Sequence, residues 1–515
     1  MRAWNRAAFL FFLGSALFLF WRSPGGVTDP RPTDAFMYAY SAIHFVEHGR
    51  YAVEVLGGVH PPRYPPGFPL FFLAPVYLAG WARPGLGLLP VLASTLGVLA
   101  LTAGMARKIL GPSAGMTAAF ALLFCLLQVY FFRFCARTVM SDIPALLLSF
   151  LCLCLYRRAR AEGRTRDFLL AGLCAALAFQ VRWTCLSLAL PFALLLFRRG
   201  MRTPARFLAL GVPLAASLGA TLLYDYRVFG HPFFTGYQYW ISDPRNYTLS
   251  LSHACANLDA FLHPFHKPSR PPSGAALLLG PAVLALCLLA ALACRRFRPR
   301  AWRATAFLRS FLWWAGLPVV VFHLFYPFHL ARFVLLPWVL LLFCGILWTW
   351  ALLDRAWARL PSWAPAGAMV FLAAACLAAR PAETPGENPY VNDFFRAADE
   401  ILPGDGVLVC MENYLYVDRN LLRGTGRILI PLRFKKVRTV GRYGERRRPL
   451  FLFNAYTSPE KIGDLLRSGR RVFLELLRPK WSGHLDAVRR LLDLYGAEVV
   501  WRWRGKDALA ELRLR

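Results

Sequence analysis

The feature that most constrains this chain is the alternation of long apolar blocks with short clusters of arginine. Leu86 to Ala106, Phe207 to Leu223 and Phe333 to Leu353 contain no charged residue. Between such blocks stand Arg157, Arg158, Arg160, Arg164 and Arg166, then Arg198, Arg199, Arg202 and Arg206, then Arg295, Arg296, Arg298, Arg300 and Arg303. An apolar run of about 20 residues crosses a bilayer as a helix, because a helix satisfies its backbone hydrogen bonds internally. Short basic loops between spans stay on the cytoplasmic side. The pattern predicts a polytopic α-helical membrane protein.

Charged residues make up 17% of the chain, against about 25% in soluble domains, so water-facing surface is scarce. A net charge of +32 would suit a nucleic-acid binder, but its place between spans fits the positive-inside pattern and no nucleic-acid footprint. Most of the 12 cysteines, Cys152 and Cys154 among them, fall in apolar segments as small hydrophobes, without metal or disulfide spacing.

The first apolar run, Ala7 to Trp21, follows Arg2 and Arg6 and is closed by no small-residue cleavage site, so it reads as helix one leaving the cytoplasm. Further spans are expected at 86–106, 114–132, 143–156, 168–181, 184–197, 207–223, 274–294, 307–325, 333–353 and 365–379. These make about 11 transmembrane helices. The Pro- and Gly-rich stretch 67–85 is expected to lie along the membrane surface. The odd number of crossings places the C-terminal part outside. Residues 1–382 then form the transmembrane domain, with exterior loops at 22–66 and 224–272, and 383–515 form an exterior domain. Within the latter, 388–402 and 484–495 read as helices and 407–411, 471–477 and 498–503 as strands, giving a small α/β domain.

Acidic residues beside membrane helices are costly, so each needs a reason. Asp34 follows helix one, Asp142 precedes Ile143-Pro144 where a span re-enters, and Asp225 ends another span; all three map to the exterior face. Asp34 and Asp142 also suit helix N-caps, and capping and catalysis both stay open for them. Arg63, Arg137, Arg182 and Arg332 stand at similar depth. Singly, each suits a snorkelling arginine; grouped beside carboxylates, their forks suit a phosphate-bearing ligand. No glycine-rich phosphate loop, His-Glu-x-x-His or Gly-x-Ser-x-Gly motif is present. A transporter or lipid flippase is the competing class. It would place ionisable residues near mid-membrane with repeat symmetry, whereas these gather at one face and no repeat is visible.

In order, Asp34 with Tyr38, His48-Gly49-Arg50-Tyr51, Arg63-Tyr64-Pro65-Pro66-Gly67, Ala136-Arg137 with Ser141-Asp142, Phe229-Gly230-His231-Pro232 and Arg332-Phe333 with Leu336-Pro337 form a series. This series resembles the GT-C fold glycosyltransferases, in particular bacterial relatives of the protein O-mannosyltransferases and of the lipid A aminoarabinose transferase. The resemblance covers Asp34 to Pro337. It implies a polyprenyl-phosphate sugar donor, an acceptor lipid, glycan or protein, and inverting transfer at the outer face of a bacterial cytoplasmic membrane. It implies Asp34 as base and Asp142 as a second catalytic carboxylate. The chemistry also needs fixed positive charge at the departing phosphate: Arg137 and Arg332 are the leading candidates, with Arg63 and Arg182 behind, and Arg137 is expected about one helical turn from Asp142. Tyr38, Tyr64 and His329 are the matching candidates for substrate contact. No cofactor is firmly implied; a divalent metal is left open, although Ala35 stands where the family often has a second acid. Asp34, Asp142, Arg137 and Arg332 are expected to converge on one cavity.

Overall fold

A computed structural model describes residues 33–55, 58–79, 84–111, 129–198, 200–240, 249–263, 274–326, 331–357, 400–410, 428–431, 459–476 and 482–515, with shorter pieces inside 118–126 and 394–398. The expected helices at 7–21 and 365–379, about half of 114–132 and most of 388–402 lie outside the described residues, as does His329.

In chain order, α1 is Thr33–His48, β1 and β2 (Val53–Val55 and Gly58–His60) form an antiparallel hairpin, and α2 is Leu88–Leu110. Helices α3 (Asp142–Glu162) and α4 (Thr165–Val181) come after it, then α5 (Pro204–Phe229) and α6 (Ala254–Leu262). Next come α7 (Gly274–Phe297), α8 (Pro299–Ala304), α9 (Leu317–Leu324) and α10 (Leu335–Trp357). The C-terminal part holds β3 (Val407–Cys410), β4 (Ile428–Pro431), α11 (Pro459–Arg467), β5 (Val472–Glu475), α12 (Ser482–Leu494), β6 (Gly496–Trp503) and β7 (Lys506–Arg513).

Five helical stretches among the described residues are long and apolar enough to cross a membrane: Leu88–Leu110, Pro204–Phe229, Gly280–Phe297, Ala306–Leu324 and Arg332–Leu352. The protein is a multi-pass helical membrane protein with a small C-terminal sheet domain. Two expected segments take other forms. The stretch after Gly67 is a short helix, Phe68–Leu78, beginning with a π turn. The expected span at 184–197 starts as a 3-10 helix, Trp183–Ala189, and becomes α-helical at Leu190–Leu196 with Pro191 in its first turn. At ~2.0 and ~1.5 Å per residue these two halves cover roughly 24 Å.

The chain divides into two compact units. The first comprises Met1–Thr28, Pro65–Tyr224 and Arg245–Thr384; the second comprises Asp29–Tyr64, Asp225–Pro244 and Pro385–Arg515. Within the first, α3 and α4 form a helical hairpin whose tight connection rests on Gly163 at φ +64°. A polar tie fastens the end of α4 to α5: Gln180 Nε2 donates to the Ser217 carbonyl and hydroxyl, both at 2.9 Å, and to Thr221 Oγ1 at 2.8 Å. Such a bond between helices keeps polar atoms satisfied where water is absent.

The five-stranded sheet of the second unit runs β4-β3-β5-β7-β6. Strands β3, β4 and β5 are parallel, and β7 joins β5 and β6 antiparallel. Val407, Val409, Val472, Leu474 and Leu512 on one face pack against Ile462 of α11 and Val488 and Leu491 of α12. Alternate strand residues reach this face because the side-chain period is two. On the other face Phe394 meets the Trp501 ring. The expected strands and the helix 484–495 are present within a residue or two; β4, β7 and α11 add to them.

Candidate active site

Two clusters of candidate residues form, one in each unit. In the second unit Asp34 lies in the first turn of α1, which begins at Thr33. The Tyr64 hydroxyl donates to Asp34 Oδ1 and fixes the orientation of the carboxylate. Tyr38, one turn along α1, stacks on the Tyr64 ring at 4.5 Å between centroids. Burial pushes the Tyr64 phenol well above the ordinary tyrosine range; Arg63 opposes this and the Asp34 charge adds to it. Tyr64 therefore remains a donor at every working pH.

The segment carrying Arg63 and Tyr64 rests on a short helix, Gly236–Trp240. The Arg63 guanidinium sits 5.3 Å from both the Tyr64 and the Tyr237 ring centroids, within cation–π reach of each, and the two rings meet edge to face at 5.3 Å. His60 Nδ1 and the Tyr239 hydroxyl are 2.8 Å apart. A Cβ at Gly236 would collide with the Pro62 carbonyl and lie 2.9 Å from Arg63 Cα and O, so this close approach needs glycine. Tyr237 was not among the expected residues; the aromatic run after Gly236 was its only sequence signal. Asp225, on the last turn of α5, is buried at 4% exposure.

In the first unit the pocket is built where four segments end. Asp142, Ser149 and their neighbours come from the start of α3, Arg182, Thr184 and Cys185 from the turn after α4, and Val319 from α9. Arg332, Phe333, Leu335 and Leu336 come from the 3-10 turn that leads into α10. Together they line about 390 Å³ of unfilled space, its mouth included. Asp142 is 2% exposed at its side chain and pairs through Oδ1 with the Arg182 guanidinium. Its Oδ2 is buried and meets no donor in good geometry among the described residues. Both guanidiniums flank the Phe333 ring, Arg182 at 5.8 Å and Arg332 at 5.2 Å. Two fixed positive charges against one negative leave the lining positive, in apolar surroundings where such charge acts strongly.

Three expectations change here. Asp142 does not cap α3; the cap position is Ser141, without a side-chain cap bond, and Asp142 is the first helical residue. Its carboxylate turns to Arg182 because a buried charge is better satisfied by a guanidinium than by a helix end. Arg137 closes a separate short helix, Tyr130–Ala136, at φ −120°, and a turn intervenes before Asp142. The helical spacing expected between these two residues is therefore absent, and Arg137 is not among the pocket's lining residues. Arg182, ranked behind Arg137 by sequence, is the residue paired with the carboxylate. The pocket brings together Asp142, Arg182 and Arg332; Asp34, Tyr38, Arg63 and Tyr64 form the other cluster.

Sequence reading also missed what holds these ends in place. Asn257 of α6, fully buried, donates through Nδ2 to the carbonyls of Leu324 (3.0 Å) and Tyr326 (2.6 Å). The Ser250 amide reaches the Phe325 carbonyl between them at 3.0 Å. Three carbonyls orphaned at the end of α9 are thus satisfied, steadying the segment before Arg332. Among the described residues no group of three or more His, Cys, Asp or Glu side chains is placed to hold a metal ion. A carboxylate committed to a guanidinium also makes a poor metal ligand, so the divalent metal finds no donor set in the pocket.

The family profile described as dolichyl-phosphate-mannose-protein mannosyltransferase matches residues 63–223. Among solved structures, ArnT from Cupriavidus metallidurans in the apo state superposes with a TM-score of 0.58 at 15% identity, covering 98% of this chain and 97% of that one. The fold is that of the GT-C membrane glycosyltransferases. The same ArnT bound to undecaprenyl phosphate gives a TM-score of 0.56 at 13% identity, over 98% and 97% of the two chains. A more distant GT-C structure is the archaeal oligosaccharyltransferase AglB from Archaeoglobus fulgidus, in complex with an inhibitory peptide and a dolichol-phosphate. Its TM-score is 0.51 at 12% identity, covering 96% of this chain and 72% of that one. No curated protein matches the chain by sequence. The family profile covers both the Arg63-Tyr64 segment and the Asp142–Arg182 pair of this chain.

Proposed function

We propose that the protein transfers a sugar from a polyprenyl-phosphate donor to an acceptor lipid, glycan or protein at the exterior face of a bacterial cytoplasmic membrane, inverting the anomeric carbon. The observation that carries this reading is the pocket where Asp142, Arg182 and Arg332 meet. A positive recess among apolar helices suits a phosphate whose isoprenoid tail stays in lipid. Two solved structures of the same fold that hold undecaprenyl phosphate or dolichol-phosphate support it.

In this reading the acceptor oxygen attacks the anomeric carbon and the carbon–oxygen bond to phosphate breaks. The electron pair leaves with the polyprenyl phosphate. Asp34 takes the acceptor proton, held in orientation by the Tyr64 hydroxyl. Arg182 and Arg332 stabilise the departing phosphate, and Asp142 keeps the Arg182 fork aimed. Tyr38, buried with Tyr64, stacks on its ring and keeps its hydroxyl on Asp34. No general acid is required, because phosphate is already a good leaving group.

Purified protein given an undecaprenyl-phosphate sugar and envelope acceptors tests this. Transfer with release of undecaprenyl phosphate, and inverted product configuration by NMR, are expected. Translocation of intact donor across a vesicle membrane without transfer would overturn the reading in favour of a flippase.

A further inference from the structure

A second strongly basic surface of the first unit is formed by the ends of α3 and α7 with α8. Residues 157–167 and 295–309 carry eleven arginines and two acidic residues, Glu162 and Asp167. Both acids are already taken: Glu162 pairs with Arg164 at 2.9 Å and Asp167 with Arg158 at 3.0 Å. From Asp259 the next acidic residue in the chain is Asp354. The two basic segments adjoin, since Arg157 lies over the Phe307 ring at 5.6 Å and both Arg160 and Arg295 act electrostatically on Arg309.

The patch stands on a fixed platform. Arg309 stacks 3.4 Å from the Trp302 ring centroid, and Trp302 meets Trp348 at 5.4 Å. The Trp348 indole donates to Thr305 Oγ1 at 2.9 Å, and Arg298 Nε donates to the Ala351 carbonyl at 2.9 Å. These ties bolt α8 to α10. They leave Arg295, Arg296, Arg300 and Arg303 exposed, with Phe297 beside them at 68% exposure. Along α7 the exposed leucines Leu286, Leu289 and Leu292 lead up to this end.

We propose that this surface binds an anionic phospholipid: the headgroup phosphate sits among Arg295, Arg296, Arg300 and Arg303, and the acyl chains lie along the leucine face of α7. An apolar strip ending in a cluster of exposed guanidiniums matches both ends of such a lipid, and anionic headgroups attract clustered arginines next to a membrane helix. The inference is independent of the catalytic reading and of which leaflet the patch faces.

The test is lipid retention by the full-length protein in non-ionic detergent, measured by native mass spectrometry with phosphatidylglycerol against phosphatidylcholine. Wild type should prefer phosphatidylglycerol by roughly tenfold or more, and R295Q/R296Q/R300Q/R303Q should bring the two lipids close to parity. All four side chains are exposed, so that variant should keep its elution volume. A control of equal charge outside this face, R198Q/R199Q/R202Q/R206Q, should retain most of the preference. The proposal is overturned if wild type does not discriminate, if the first variant keeps its preference, or if the control loses as much. Displacement of the lipid by RNA at equal phosphate concentration would also overturn it.

Discussion

The two units of this protein each hold a carboxylate–arginine pair, and they hold it for different reasons. In the helical unit Asp142 and Arg182 have side chains 2% and 19% exposed, in a recess among apolar helices. In the C-terminal sheet Arg471 and Glu511 are 53% and 11% exposed, joined by bonds of 2.6 and 3.1 Å across the β5–β7 edge. Burying the first pair costs several kcal/mol per ion before any attraction returns it. The second stays in water's reach and contributes at most about 1 kcal/mol. A charge buried among apolar helices is costly enough to need a reason, whereas one in water's reach is not. That is why the Asp142 pocket, and not the more numerous pairs of the sheet, carries the functional reading.

The largest effect should come from Asp34, whose carboxylate the Tyr64 hydroxyl orients. Asp34→Asn preserves shape and should lower turnover by roughly 10²- to 10⁴-fold with normal membrane insertion. Tyr64→Phe should cost less, roughly tenfold, through loss of one charge-assisted hydrogen bond. Initial rates alongside size-exclusion profiles measure both. Near-full activity in Asp34→Asn would end its assignment as base, and loss of folding would make it a structural cap.

The buried pair itself comes next. Asp142→Ala leaves Arg182 uncompensated and should destabilise by about 3–5 kcal/mol, whereas Asp142→Asn with Arg182→Gln should be far better tolerated. Thermal unfolding in detergent reads both. If the double variant also fails to bind donor while the single variants differ, the pair serves the ligand; equal damage from all three would reduce it to packing.

A smaller effect is expected from Gly67. A Cβ there would collide with the Gln180 carbonyl group and lie 2.7 Å from the Val181 amide nitrogen, in the last turn of α4 just before Arg182. Gly67→Ala must push that turn aside, at about 1–3 kcal/mol for an overpacked site. Because the turn aims Arg182, KM for the donor should rise more than kcat falls. An unchanged KM with lowered stability would show that the contact serves packing alone.

Much of this was legible beforehand. Blocks of apolar sequence located α2, α3, α5, α7 and α10, because span length and charge exclusion are written residue by residue. Asp34, Tyr64, Asp142 and Arg332 stand out in sequence because an ionisable or aromatic residue beside a span contrasts with its surroundings. The pairing of Asp142 with Arg182 and the turn that separates it from Arg137 were not legible, since sequence spacing cannot say whether a turn breaks the helix between two residues. Asn257 and Tyr237 were invisible: their partners lie 67 and more residues away or in a separate loop, and neither residue type is unusual where it stands. Strand β7 was missed for another reason. Its Lys506-Asp507 opening is polar, and the turn at Arg504-Gly505, with φ +50° and +76°, marks a tight hairpin that carries only one glycine as its signal.

The smallest effect lies in the sheet and completes the comparison. Hydrogen bonds from Arg471 hold the Glu511 carboxyl below the ordinary glutamate range, and partial burial opposes them. An acid whose folded pKa is depressed stabilises the fold at every pH above its unfolded value, about 4.3, and loses that contribution as the pH falls from there through the depressed value. Water screens the half-exposed Arg471, so the contribution is about 1 kcal/mol or less. Glu511→Gln should therefore weaken hydrogen-exchange protection of β5 and β7 at pH 7, and the gap from wild type should close as the pH drops below about 4. A Glu511→Gln gap that persists unchanged at low pH would mean the residue acts through packing.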